Sequence, residues 1–213
     1  MKQISLIFLL LMITISAKSQ NKLGFEIRTS RNVTYNASNL SGGSFGISSY
    51  RITKEENTNT TSYSFGVLYK PNVRTTLRLH IGKHKNGRIL DLTSRDDVSM
   101  SQDYENINRP YKFVQITPSI SYNIINQKIK MPLEFGLSIN KRTNIEDIFF
   151  VFIKKYNYDL RISSGLQYDL GNMNFGMNVV YSKSISEYQD IYEFGKYEPY
   201  QIGLEFVISY LFK

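Results

Sequence analysis

Val73-Arg74-Thr75-Thr76-Leu77-Arg78-Leu79-His80-Ile81 decides the fold. Successive side chains of a strand point to opposite faces. Val73, Leu77, Leu79 and Ile81 therefore share one face, and Arg74, Arg78 and His80 share the other. A soluble sandwich buries the apolar face of such a segment and wets the polar one. Here segments of about ten residues repeat the alternation through almost the whole chain, with charges on the polar face and aromatic residues near the segment ends. That pattern belongs to a barrel set in lipid, apolar outside and polar within.

Working outward from that segment, the same alternation is found in 23–35, 62–69, 114–124, 131–139, 158–170, 175–181 and 200–212. In the first, Leu23, Phe25, Ile27 and Val33 oppose Glu26 and Arg28. In 62–69 the outward row is Tyr63, Phe65, Val67 and Tyr69. The connections alternate in length: those near 70–72, 126–128 and 171–172 are tight, and those near 36–60, 84–110, 142–155 and 185–198 are long and polar. Short periplasmic turns and long external loops are the rule for bacterial outer-membrane barrels. The expectation is an all-β, closed antiparallel transmembrane β-barrel of about eight strands. Phe45 to Ile52 also has extended character inside the first long connection. A strand rising above the membrane preserves the alternation of turns and loops, whereas a ninth membrane strand breaks it.

Residues 1–20, MKQISLIFLLLMITISAKSQ, combine a short positive start, an apolar stretch and a run of mostly small residues. They read as a secretory signal peptide, too short and wrongly flanked for a transmembrane helix. The expected division is a cleaved leader, 1–20, and one barrel domain, 21–213. The leader carries Lys2 and Lys18 and no acid, so its removal lowers the formal charge from +8 to +6. The charges are interspersed, which argues against a nucleic-acid surface. A basic exported barrel suits anionic headgroups, and outer-membrane lipid is the expected partner. The mean hydropathy of −0.30 is compatible with a barrel, because only alternate strand residues meet lipid. Cysteine is absent. That excludes disulfides, thiol catalysis, Cys-based zinc sites and a lipid-modified cysteine.

The expected inward row holds Glu26, Arg28, Arg74, Arg78, His80, Glu134, Asp159, Arg161, Gln167 and Glu205. Both signs are present, so an internal ion-pair network is expected, and an eight-stranded interior is just wide enough for side chains to fill. The 16 tyrosines and 13 phenylalanines suit interfacial girdles, since tyrosine joins an apolar ring to a wet hydroxyl. The chain ends in Tyr210-Leu211-Phe212-Lys213, an alternating strand with a near-terminal aromatic. With the Ser-Gln end of the leader, this resembles the PorT-like outer-membrane β-barrels common in Bacteroidota, small barrels of the OmpA-like kind. The resemblance implies an outer-membrane barrel and carries over no functional residue.

No catalytic, cofactor-binding or metal-binding residue is assigned, and no cofactor is expected. There is no G-x-S-x-G, H-E-x-x-H or phosphate loop. His80 and His84 share a strand face, which suggests a metal, but further ligands at metal-site spacing are missing, so the expectation is an interior hydrogen-bonding residue at His80 and a rim residue at His84. Asp91, Asp96, Asp97, Asp103 and Glu105 concentrate carboxylates in one long connection without calcium-loop spacing. Ile148-Phe149-Phe150-Val151-Phe152-Ile153 is an apolar run in a long connection, suited to loop packing or to partner docking. The leading reading is a non-enzymatic envelope scaffold, adhesin or secretion-assembly component that contacts other envelope proteins through its loops. One alternative is a lipid-modifying enzyme of deacylase type, for which His84 with Ser94 or Asp91 is the one constructible site. Another is a soluble lipocalin-like carrier, which needs an apolar interior and is opposed by this charged one.

Overall fold

The computed structural model describes residues 22–36, 42–45, 48–96, 102–143, 156–186, 188–189, 196–197 and 199–212. Twelve strands follow in order: β1 Lys22–Asn36, β2 Gly42–Phe45, β3 Ser48–Glu56, β4 Thr58–Lys70, β5 Thr75–Asp96, β6 Gln102–Asn126, β7 Ile129–Arg142, β8 Tyr156–Leu170, β9 Met173–Ser184, β10 Tyr188–Gln189, β11 Lys196–Tyr197 and β12 Pro199–Leu211. Eight of them form a closed antiparallel ring, β1-β4-β5-β6-β7-β8-β9-β12, sealed where β12 pairs with β1 from Gly24↔Leu211 to Asn36↔Pro199. The leader expected at 1–20 and the apolar run Ile148 to Ile153 lie outside the described residues.

Burial runs opposite to that of a soluble protein. Among the described residues, six buried side chains are hydrophobic and twenty-nine are polar or charged, while Leu, Ile, Val, Phe and Met crowd the exposed set. The exposed apolar surface is a continuous belt of outward rows. On β12 that row is Tyr200, Ile202, Leu204, Phe206, Ile208 and Tyr210, and on β8 it runs from Tyr158 to Tyr168. Each pair of bounding tyrosines is ten residues apart. At about 3.3 Å per residue and about 40° of tilt, ten residues rise roughly 25 Å, the height of a barrel's apolar band. Phe25 stacks on Tyr210 at 5.5 Å at one boundary, and Tyr35 on Tyr200 at 5.1 Å at the other.

The short turns are chemically explicit. Pro71 presets φ, and Asn72 Oδ1 accepts from the backbone N–H groups of Arg74 (2.9 Å) and Thr75 (2.7 Å). Gly171, at φ 72°, occupies the left-handed region that turns β8 into β9.

Several sequence expectations need correction. The span 84–110 is a continuation of strands, not a polar loop: the β5–β6 ladder runs without interruption from Thr75↔Tyr122 to Arg95↔Gln102. Apolar residues recur in it at Ile89, Leu90 and Leu92, and each strand satisfies the other's backbone. The carboxylates of that span are spread along the hairpin, with Asp103 opposite Ser94 and Glu105 opposite Leu92. Residues 48–56, by contrast, match the expectation: they pair with the upper part of β5, between Ser48↔Asp96 and Glu56↔Ile89, and form a strand above the ring and not a ninth member of it. Arg74 lies outside the barrel, because β5 begins only at Thr75; its guanidinium donates to the Tyr122 hydroxyl at 3.0 Å. Tyr69, expected to face outward, is buried, with Leu23 and Leu77 as its register partners.

Gly171→Ala is expected to cost about 1 kcal/mol, because a Cβ disfavours left-handed backbone. A lowered urea midpoint, read from the fraction of barrel that migrates as folded without boiling, checks it.

Candidate functional site

The place where chemistry concentrates is the barrel interior. Glu26 and Arg28 stand two apart on β1 and so face the same way, and Arg28 Nε donates to Glu26 Oε1 at 2.6 Å. The rest of the guanidinium reaches across the lumen. Its Nη1 and Nη2 donate to Glu134 Oε1 and Oε2 at 2.8 and 2.9 Å, the bidentate fork that carboxylate geometry favours. Glu134 is on β7, four strands from β1 in either direction around the ring, so the pair spans a diameter. Arg78 from β5 adds Nε at 3.2 Å from Glu26 and Nη1 at 3.4 Å from Glu134, and it also donates to Ser121. Glu205 from β12 receives Arg161 Nη2 at 2.5 Å and lies 3.4 Å from Arg28 Nη1. Three carboxylates thus meet three guanidiniums in a closed, charge-balanced cluster. Such a cluster is what an interior without bulk water requires.

Gly66 makes room for one more member. Its register partners are Glu26 on β1 and His80 on β5. A side chain at Gly66 would fall on the His80 ring, with Cγ only 2.7 Å away. The gap lets His80 Nε2 come to 3.1 Å from Glu26 Oε1, although it is not in hydrogen-bonding alignment.

Towards the long-loop end the interior is filled mostly by hydroxyl and amide groups. Ser30 with Ser62 (2.5 Å), Thr117 with Ser138 (3.0 Å) and Gln201 with Thr34 (2.9 Å) hydrogen-bond across strands, and Asn140 donates to Asp159 at 2.6 Å. A cavity of about 10 Å³ between Arg28, Ser30, Gln115, Arg161 and Glu205 has room for about one water. At the short-turn end an open mouth of about 560 Å³ is lined by Lys22, Lys70, Lys130 and Asp169, with Lys130 paired to Asp169. With Arg28 and Glu134 joined across it, the lumen is a filled core.

Geometry takes apart the two constellations built around His84. His80 and His84 are four residues apart on one strand, about 13 Å, too far to share an ion. His84 is an interior residue, buried against Phe113 at a centroid distance of 6.1 Å, and not a rim group. Asp91 and Ser94 lie on the same strand about 23 Å and 33 Å farther along, so neither forms a dyad with it. Among the described residues no group of three or more His, Asp or Glu is placed to hold a metal. Of the expected inward row, Glu26, Arg28, Arg78, His80, Glu134, Arg161 and Glu205 come together. Asp159 and Gln167 are also buried inside but outside this cluster. Ser121, inward by the alternation of 114–124, joins the cluster through Arg78.

No family model matches the sequence, and no curated protein matches it. Solved structures do. Neisserial surface protein A (NspA) superposes with a TM-score of 0.53 at 14% identity, covering 88% of this chain and 97% of that one. The chain has the fold of the small eight-stranded outer-membrane barrels. Ail, the attachment invasion locus protein of Yersinia pestis, gives 0.43 at 10% identity over 91% and 100% of the two chains. LpxR from Salmonella typhimurium gives 0.30 at 8% identity over 89% and 100%. Neither of these two scores bears on what this barrel does.

Arg28→Met leaves Glu134 without its bidentate partner and is expected to cost about 3–5 kcal/mol, whereas Arg28→Met with Glu134→Met is expected to cost less than half of that. Urea unfolding of the three proteins in one detergent measures this coupling. Gly66→Val is expected to destabilise by about 1–3 kcal/mol by displacing His80, read on the same assay.

Proposed function

We propose that the protein is an outer-membrane scaffold, non-enzymatic, whose filled barrel holds a rigid β-sheet outside the cell for contact with other envelope components. The observation that carries this reading is a reversal of polarity along the β5–β6 hairpin. Within the ring, odd-numbered residues of β5 such as Leu79 and Ile81 are exposed and apolar, and even-numbered ones such as Arg78 and His80 are buried and polar. Farther along, the odd-numbered row continues as Asp91, Thr93 and Arg95, opposite Asn106, Tyr104 and Gln102 of β6. On the other side of β5 the same row meets Lys54, Arg51 and Ser49 of β3. The even-numbered row becomes Leu90 and Leu92, which meet Ile107 and Glu105 of β6 and Glu55 and Ile52 of β3. A row that is apolar against lipid and polar beyond it has crossed from membrane to water.

The sheet β2-β3-β5-β6 therefore stands in the external solvent, at the end opposite the short turns. Function on a small barrel belongs to such projections, because the membrane part has no lumen to offer a solute. The expected localisation is the outer membrane after removal of residues 1–20. The leader, the strand rhythm and the aromatic last strand together support kinship with the PorT-like barrels.

Replacing 88–109 by a four-residue turn tests the division of labour. The shortened chain is expected in the outer-membrane fraction with its heat-dependent gel shift intact, while surface binding of envelope partners, read by cross-linking on whole cells, is lost. Retained cross-links would place the contact elsewhere, and a soluble product would overturn the membrane reading.

A further inference from the structure

At the short-turn end the lumen widens into the open mouth of about 560 Å³, and the charges on its walls do not balance. Lys22 opens β1 and Lys70 ends β4; they are direct register partners, and both line the mouth. Lys130, near the start of β7, lines it from a strand four places round the ring from β1. Asp169 of β8 is the one carboxylate on this lining among the described residues, and it is paired with Lys130. Three lysines against one aspartate leave a charge of +2, carried by Lys22 and Lys70. The charges that act most on the Lys70 ammonium are other cations, Lys130 and then Arg78, ahead of Asp169 and Glu26.

The interior directly above follows a different rule, three guanidiniums meeting three carboxylates. Like charges directly opposite on antiparallel strands destabilise the pair. Nothing on β1 or β4 offsets that cost for Lys22 and Lys70. The wall that carries Lys130 has surplus donors as well. Gln167, the register partner of Lys130, and Asn174, the register partner of Asp169, are both buried. Asn174 Oδ1 accepts from Lys130 Nζ at 3.3 Å, yet Asn174 Nδ2 and Gln167 Nε2 have no acceptor. Ammonium groups and buried amide N–H groups in excess of acceptors, set around a cavity, suit a ligand rich in negatively charged oxygen.

We propose that the mouth binds a phosphomonoester, its phosphate seated between Lys22 and Lys70 on one wall and Lys130 on the other. Charge selects the monoester. Its phosphate carries about −1.5 to −2 at neutral pH, close to the opposite of the lining, whereas a carboxylate or a phosphodiester brings a single charge. Its three terminal oxygens are strong acceptors, enough for several donors at once. The volume of the mouth is in the range of small-molecule sites, so it admits the organic part of the ester along with the phosphate. The site lies at the far end of the barrel from the β2-β3-β5-β6 sheet and does not depend on what that sheet contacts. That the ligand is a phosphorylated solute of the periplasm rests on the membrane reading above; the site itself needs only the closed ring.

The test uses the full chain extracted from outer membranes and reconstituted in phosphatidylcholine nanodiscs. Glycerol 3-phosphate is the monoester probe, and glycerophosphoglycerol, the headgroup of an anionic phospholipid, is the diester. Calorimetric titrations compare the native chain, Lys22→Gln/Lys70→Gln, and Lys83→Gln/Lys141→Gln, which removes the same charge at the other end. The first variant breaks no ion pair among the described residues, so its barrel is expected to fold. The native chain is expected to bind the monoester about tenfold or more tightly than the diester. The first variant is expected to lose about tenfold or more in affinity for the monoester, as the removal of charge-assisted hydrogen bonds implies, and the second to match the native chain. No binding by the native chain, equal binding by the first variant, or equal affinity for the diester, which would assign the mouth to a lipid headgroup, would overturn the proposal. The heat-dependent gel shift is scored on every sample. A shifted barrel indifferent to the monoester sinks this site alone, and a chain that is neither in the outer membrane nor shifted sinks the scaffold reading with it.

Discussion

An unpaired strand edge has no partner in hydrocarbon, and each orphaned backbone group there costs several kcal/mol. Closure of the ring through β1 and β12 is therefore the constraint from which the rest of this structure follows. Eight strands closed in this way leave an interior only as wide as the side chains that fill it. Half of every strand must point into that space, and half must point into lipid. The outer half is apolar because lipid offers no hydrogen bonds. The inner half is polar and pairs largely within itself.

Such self-satisfaction explains the composition of the interior better than any catalytic need. Glu26, Glu134 and Glu205 against Arg28, Arg78 and Arg161 leave no net charge in the cluster. Serine, threonine and asparagine occupy the remaining inward positions and bond across strands. A glycine stands where a neighbour needs the volume, as Gly66 does beside His80. The membrane portion is thus a solid post, and its two ends are free to differ.

Much of this was legible in the sequence, because strand parity is a property of neighbouring residues. The alternation in 23–35 and 200–212 assigned Glu26, Arg28 and Glu205 to the inside without any knowledge of the partner strand. What parity does not encode is where a strand stops or which residue it meets. Arg74 obeyed the alternation and still fell in a turn, since Asn72 caps the backbone just before β5. Residues 84–110 looked like a loop because their polarity changes, yet polarity changed with the solvent and not with the backbone. His84 looked like a rim group for the same reason. The pairing of Arg28 with Glu134 exists only once the register of several strands is known.

The guanidinium–carboxylate strut joins residues 106 positions apart. Glu26 meets Arg28 on its own strand, but Glu134 receives its guanidiniums from the other half of the chain, and contacts so distant in sequence form slowly. While β1 and β7 remain apart, the nascent barrel carries solvated ions into a medium that rejects them. Neutralisation of Glu134 is thereby tied to the step that brings β1 and β7 together across the ring. Once assembled, the same strut resists flattening of the ring into an oval, because one of its diameters is held at fixed length.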